Sequence, residues 1–327
     1  MNKYGPEQID LKDLVSYKVS DIRKAMEDGE ILESMVVKCS PELELEVSMG
    51  NHIIGKIPFS ELEYTTDGKP VKSVHATSKV GKTIKYKVKS MKKVDNCYYC
   101  ELSRKDAQKD CIDNYISKLF VGQIIDAVAI HVEKYGIFCD IGCGITALLP
   151  TKNVSIVKFK DPVLELRGVR RLKAVVQSIE NGKVTLSHKE LLGTWEEEVN
   201  KFQLNEVVTG IVRLVTDYGV FVELTPNLLG LAEVYPDVAI NDVVSVFIRG
   251  FVPDSMKVKL MITGVIGQKT GKTYYSYKLP SCGFVKDWVY NTPNAPKKTE
   301  SHFNVPEEKL REAEEMQENQ KSENNDN

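Results

Sequence analysis

The tetrapeptide Tyr135-Gly136-Ile137-Phe138 returns as Tyr218-Gly219-Val220-Phe221, 83 residues further on. Two copies of such a pattern at one offset imply a repeated module, and a repeat constrains the fold more than any bulk property. Matching Val121 to Leu204 carries the likeness, without a gap, along GQIIDAVAIHVEKYGIFCDIGCGITALLP and NEVVTGIVRLVTDYGVFVELTPNLLGLAE. In the first copy Val128, Ile130 and Val132 alternate with Ala129 and His131. That period of two marks a half-buried strand. A small turn at Gly142-Cys143-Gly144 then leads into a third apolar strand, ITALLP.

Each module closes with another hairpin. In RLKAVVQSIENGKVTLSHK, Asn181-Gly182 supplies a two-residue turn of positive φ. In VSVFIRGFVPDSMKVKLMI the turn is Pro253-Asp254-Ser255. Five short strands closing within about 60–75 residues predict a small β-barrel. A fainter copy comes first, in DGEILESMVVKCSPELELEVSMGNHIIGKIPFSEL and TIKYKVKSMKKVDNCYYCELSRKD. Counted back from its Gly50 turn, its two aromatic positions hold Leu43 and Glu46.

Short helices join the modules. Ala107, Cys111, Ile112, Tyr115, Ile116 and Leu119 recur at helical spacing. Thr194-Trp195-Glu196-Glu197 fits a capping box ahead of a helix through Phe202. The fold expected is therefore all-β: three tandem five-stranded barrels joined by short helices, with a small aromatic β-hairpin extension. The boundaries are a segment 1–27, a degenerate barrel 28–105, barrels at 118–190 and 203–264, the hairpin extension 265–298, and an acidic, largely disordered tail 299–327.

The net charge of −2 gives no global positive field, so any polyanion site must be a local patch. Seven cysteines at irregular spacing argue for a reducing compartment rather than a disulfide framework. MNKYGPEQIDLKDLV has no apolar leader core, and no apolar run reaches the ~18 residues of a membrane helix. A cytoplasmic protein with no membrane partner is expected.

In a flat strand, residues three apart face opposite sides. Gly136 and Gly219 are expected to tolerate a bulge or bend that brings both rings to one face. Two exposed rings then form a stacking platform. Stacking suits single strands, because every base has a π face and pairing hides it. Phosphates need cations nearby. The second module offers Lys152, Lys158, Lys160, Arg167, Arg170, Arg171, Lys173 and Lys183. The third offers Arg213, Arg249, Lys257 and Lys259. Lys183 and Lys257 hold matching places after the last hairpin turn. Tyr115, Trp195, Phe202, Trp288 and the Tyr274–Tyr277 cluster are assigned to packing, and His131 to the solvent face.

The alternating strands, the Tyr-Gly-x-Phe pair, and the closing GKVTLSHKE resemble the S1-type RNA-binding domain, an OB-fold named after ribosomal protein S1. FKDPVLEL resembles the segment before the fourth strand of that family, and LSHKELLGTWEEEV the linker of its multi-repeat chains. The similarity covers about residues 28–264, strongest in the second module and weakest in the first. It implies single-stranded RNA binding in translation, at the ribosome and its small subunit. The family's aromatic positions map onto Tyr135, Phe138, Tyr218 and Phe221, and its basic position onto Lys183 and Lys257. With Arg170, Arg171 and Arg249 these form the expected RNA-binding set. The family's histidine after the third strand is replaced by Pro58, Pro150 and Glu233, and Glu233 would repel phosphate.

No enzyme, metal or cofactor is expected. Cys97-Tyr98-Tyr99-Cys100 stands alone, without the second ligand pair of a zinc site. Thr270-Gly271-Lys272-Thr273 lacks the P-loop glycine spacing. Two other readings stay open: a protein-interaction scaffold whose barrels touch no RNA, and a metal or redox protein built on Cys97 and Cys100.

Overall fold

The structure, a computed structural model, describes residues 3–7, 16–65, 70–166, 168–269, 275–296 and 298–315. Three closed barrels occupy most of it, each with its fifth strand between the third and fourth. The first is built from β1 (Leu32–Cys39), β2 (Leu45–Gly50), β3 (Ile53–Ile57), β4 (Thr83–Val94) and β5 (Cys97–Ser103). The second uses β6 (Ile124–Glu133), β7 (Gly136–Gly142), β8 (Ile145–Pro150), β9 (Arg171–Glu180) and β10 (Lys183–Ser187). The third uses β11 (Val207–Thr216), β12 (Gly219–Thr225), β13 (Leu228–Ala232), β14 (Asp242–Val252) and β15 (Lys257–Gln268). Neighbouring strands run antiparallel except where the fifth meets the third, as in β15 beside β13. This is the three-barrel, OB-type architecture expected from the repeat.

The alternation read over Val128–Val132 does not hold in β6, where Val128 and Ala129 are both buried and Ile130 and His131 both exposed, but it does hold in later strands. In β13, Leu228, Gly230 and Ala232 point inward while Leu229 and Leu231 are half-exposed. In β14, Val244, Val246 and Ile248 enter the core, which also holds Val212, Val222, Val258 and Leu260. The second barrel packs Ile137, Cys139, Ile141, Leu149, Leu172, Val176 and Leu186. Asn181 and Gly182 both take positive φ, +50° and +74°, the geometry of the expected two-residue turn.

Five α-helices have their bounds fixed among the described residues: α1 (Val19–Asp28), α2 (Ser73–Thr77), α3 (Arg104–Asn114), α4 (Pro162–Glu165) and α5 (Trp195–Val199). α3 starts three residues before the spacing suggested, because the Ser103 hydroxyl caps it by accepting from the Asp106 N–H at 2.9 Å. α5 begins with the expected box: Glu197 N–H donates to the Thr194 hydroxyl, and Thr194 N–H to the Glu197 carboxylate. It ends at Val199 rather than running through Phe202.

The chain divides into two compact units. The first runs to Leu119 and also includes Asp140–Thr146. Its buried Arg104 donates to the Glu7 carboxylate at 3.0 and 3.3 Å and to the Leu62 carbonyl at 3.3 Å. A guanidinium so deeply buried needs such partners. Asp140 accepts from the N–H groups of Glu7, Gly142 and Gly144, and burial beside Glu7 pushes its carboxyl up to about 7.

The second unit holds the rest of the second barrel, the third barrel and the C-terminal segment. Asn227, buried in the turn before β13, fastens the two barrels. Its amide donates to the carbonyls of Lys189 and Gly193, both at 2.9 Å, and its oxygen accepts from Ile156 N–H at 3.1 Å. The C-terminal segment is an aromatic strap across both. Phe284 packs near Val175, Val285 N–H donates to the Gly122 carbonyl, and Tyr290 hydroxyl donates to the Asn227 carbonyl at 2.5 Å. β16 (Asp287–Val289) pairs with β17 (Glu300–His302), so the two-stranded sheet crosses the boundary expected at 298/299. Phe303 and Val305 beyond it are buried, and residues 307–315 are helical. Residues 316–327 and Tyr274 lie outside the described residues.

Trp195 and Trp288 are core residues, as assigned. No described helix is long and apolar enough to cross a membrane.

Candidate nucleic-acid interface

Tyr135 sits in the turn between β6 and β7, and Phe138 on β7. Their rings meet edge to face, centroids 6.1 Å apart and planes at 89°. Tyr218 and Phe221 repeat this on the third barrel at 6.1 Å and 88°. Each tyrosine is open to solvent, 59% and 69% exposed, and each phenylalanine is half-buried beneath it. Edge-to-face contact holds both rings in place and leaves one tyrosine face free.

The glycine works differently from the expectation. Neither Gly136 nor Gly219 takes positive φ. The irregularity in register lies on the opposite strand, between Val212 and Leu214. Instead a Cβ at Gly219 would stand 2.4 Å from the Ala232 carbonyl oxygen, and one at Gly136 2.6 Å from that of Leu149. Glycine is needed because the third strand's backbone passes directly over it. The tyrosine reaches the phenylalanine's face because it belongs to the turn, where strand alternation no longer applies.

The expected cations fall into three groups. Lys183 and Lys257 each begin the fifth strand of their barrel, and both are exposed. One strand separates each from the aromatic strand, about 10 Å across the sheet. Arg170 and Arg171 are exposed where the second barrel's connector enters β9. Arg249 is exposed on β14, and its guanidinium is paired with the Glu233 carboxylate at 2.8 Å. Glu233, expected to repel phosphate, is thus paired with the cation nearest it.

Two members of the wider basic set are committed elsewhere. Arg213 is buried: Nε and Nη2 donate to Glu223 at 2.7 and 3.2 Å, Nη1 to Asn241 and Glu165, and Phe159 stacks by its guanidinium at 5.8 Å. Lys173 pairs with Asp126 at 2.7 Å. Arg167 lies outside the described residues. Arg213 was expected to face phosphate, but its burial comes from side chains distant in sequence: Phe159, Glu165 of α4 and Asn241, besides Glu223 of the neighbouring strand.

The first barrel replaces the platform with alternating charge. Lys38 pairs in register with Glu46, Glu46 with Lys56, and Lys56 with Glu101, across four strands. Lys56 also binds Glu44 at 2.8 Å. At the register place of Lys257 this barrel carries Tyr99, 37% exposed, opposite Lys92. Cys100, beside it, points into the core, where burial pushes its thiol up to about 11. No group of metal-ligating side chains is assembled among the described residues.

His188, which sequence reasoning passed over, is fully buried after β10. Its Nδ1 donates to the Val154 carbonyl at 2.7 Å and its Nε2 accepts from the Tyr277 hydroxyl at 3.1 Å. The rings of Tyr275 and Tyr277 enclose it, and burial pulls its pKa down to about 4. The SHKE motif gave no sign that a distant tyrosine would meet this ring.

Three barrels of this strand order, two of them with an outward aromatic pair, resemble tandem S1-type domains. Residues 25–97 match the family model of the S1 RNA binding domain, and this match falls on the first barrel, whose aromatic pair is missing. The chain resembles small ribosomal subunit protein bS1: it is 34% identical to that of Rhodopseudomonas palustris over 137 residues, 41% of this chain and 23% of that protein. It is 27% identical to that of Chlamydia muridarum over 258 residues, 74% of this chain and 44% of that protein. The chain thus spans less than half the length of these relatives. A solved multidomain protein with nucleic acid binding domains from Streptococcus pneumoniae aligns over 77% of this chain and 76% of its own, at 13% identity and a TM-score of 0.24, too low to carry an argument.

Proposed function

We propose that this chain binds single-stranded RNA and acts in translation with the small ribosomal subunit, in the cytoplasm and without catalysing a reaction. The observation that carries this reading is the same exposed edge-to-face ring pair on two barrels, at one centroid distance of 6.1 Å. Tyr135 and Tyr218 stack bases while Phe138 and Phe221 hold them upright. Lys183 and Lys257 take phosphates on one side of each platform. Arg170 and Arg171 serve the second barrel, and Arg249 the third once Glu233 releases it. The likeness to S1-type domains and to bS1 proteins supports the same reading.

The test is a titration of unstructured RNA at two salt concentrations, with a Tyr135→Ala/Phe138→Ala variant alongside. Affinity should fall with salt at about −0.7 in logarithmic slope per phosphate contacted. It should also fall in the variant by roughly 1–3 kcal/mol per lost stacking contact. Unchanged affinity in the variant would remove the stacking mechanism.

The alternating charges of the first barrel favour a second role for that barrel alone, as a contact for a protein partner. Partners that stay bound after ribonuclease treatment would support it.

A further inference from the structure

We propose that the second barrel carries a guanine-selective subsite beside its aromatic pair, resting on the RNA-binding reading above. A groove of about 550 Å³ runs between β6 and the connector ahead of β9. Such a volume suits a small flat ligand. Its walls include Ile130, Val132 and Val163, and its polar groups His131, Asp161 and Arg170. Ile130 and Val163 are 46% and 41% exposed, so apolar surface stands open on both sides. A base sliding between them removes that surface from water.

The polar groups select the base. Arg170 is exposed and presents a planar fork of donors, the complement of guanine O6 and N7. Asp161 presents carboxylate acceptors, the complement of guanine N1–H and N2–H₂; a carboxylate has room for several donors. Adenine would turn its amino donor toward the guanidinium. His131 is held at the rim by Glu133, Nε2 to Oε1 2.8 Å. Tyr135 lies three residues beyond Val132, in the turn that follows β6 and at most about 10 Å away along the chain, so one RNA strand reaches both places.

The third barrel lacks this groove for a visible reason. At the 83-residue offset Ile130 becomes Arg213. There, Phe159 and Glu165 from the second barrel's own connector cover the position. The subsite is therefore assigned to the second barrel and not to the third.

The experiment uses the full chain and four labelled oligonucleotides: twelve uridines, and the same strand with one central guanosine, adenosine or inosine. Guanosine should bind roughly 5- to 100-fold tighter than adenosine, the range of one good bidentate contact. Inosine, which lacks the N2 amino group, should fall between. Arg170→Lys keeps the charge and should abolish the guanosine preference, read as the ratio of guanosine to adenosine affinity within the variant. Val163→Trp, which fills the groove, should do the same, with thermal midpoints checked for both variants. Equal binding of all four strands would overturn the subsite and leave the stacking reading standing. A guanosine preference that survives both variants would overturn its location. Binding of none would overturn both readings.

Discussion

The Tyr277 hydroxyl donates to Nε2 of His188 at 3.1 Å and accepts from the Lys173 N–H, also at 3.1 Å. One phenol from the C-terminal strap thereby satisfies a β9 backbone group and the ring that follows β10. His188 stays neutral because burial disfavours the imidazolium, which lowers its pKa from 6.5 to about 4.

A pH dependence follows from that depression. Above pH 6.5 the ring is neutral in both folded and unfolded chains, and its contribution is complete. As pH falls toward 4 the unfolded chain takes up a proton that the folded chain refuses, and stability is lost. The shift corresponds to about 3 kcal/mol at most. Denaturant unfolding of the full chain at pH 7 and pH 4.5 should show the loss, and His188→Gln should reduce the difference. An equal difference in both proteins would place the acid sensitivity elsewhere.

Removing the other partner tests the strap. Tyr277→Phe leaves the Lys173 N–H and the His188 Nε2 without their bonds, which should cost about 1–3 kcal/mol. A midpoint shift measured by thermal unfolding checks it; no shift would mean the strap adds nothing to the barrel.

Gly219→Ala should destabilise the third barrel by about 1–3 kcal/mol, because the added carbon meets a backbone oxygen at 2.4 Å. Gly250→Ala is the control. Nothing lies within 4 Å of its Cβ position and its φ is not positive, so a change beyond about 0.5 kcal/mol would be unexpected.

Glu233→Gln should free Arg249 from its exposed ion pair, itself worth about 1 kcal/mol or less. RNA affinity should rise, and its salt slope should steepen by about 0.7, one added phosphate contact. An unaltered slope would take Arg249 out of the interface.

Asn227→Ala should loosen the second barrel from the third. Three backbone groups lose their partner, those of Ile156, Lys189 and Gly193. A loss of several kcal/mol, or two separate unfolding transitions where one was seen, is the expected result in calorimetry. A single transition at the same temperature would assign the docking to the strap instead.

The Asn181-Gly182 turn, the alternation of strands such as β13 and the 83-residue repeat determined the barrels, because strand alternation and turn chemistry are local properties of consecutive residues. They also determined that two aromatic pairs would exist. How each pair meets, and why its glycine is required, was decided by the strand passing over Gly136 and Gly219, a contact between residues about a dozen apart. Which arginines face water was likewise decided by packing. Arg170 and Arg213 look alike in the chain, but only the second is covered by a helix from the neighbouring barrel. Burial is set by what docks from a distance, and a residue's own neighbours do not record it.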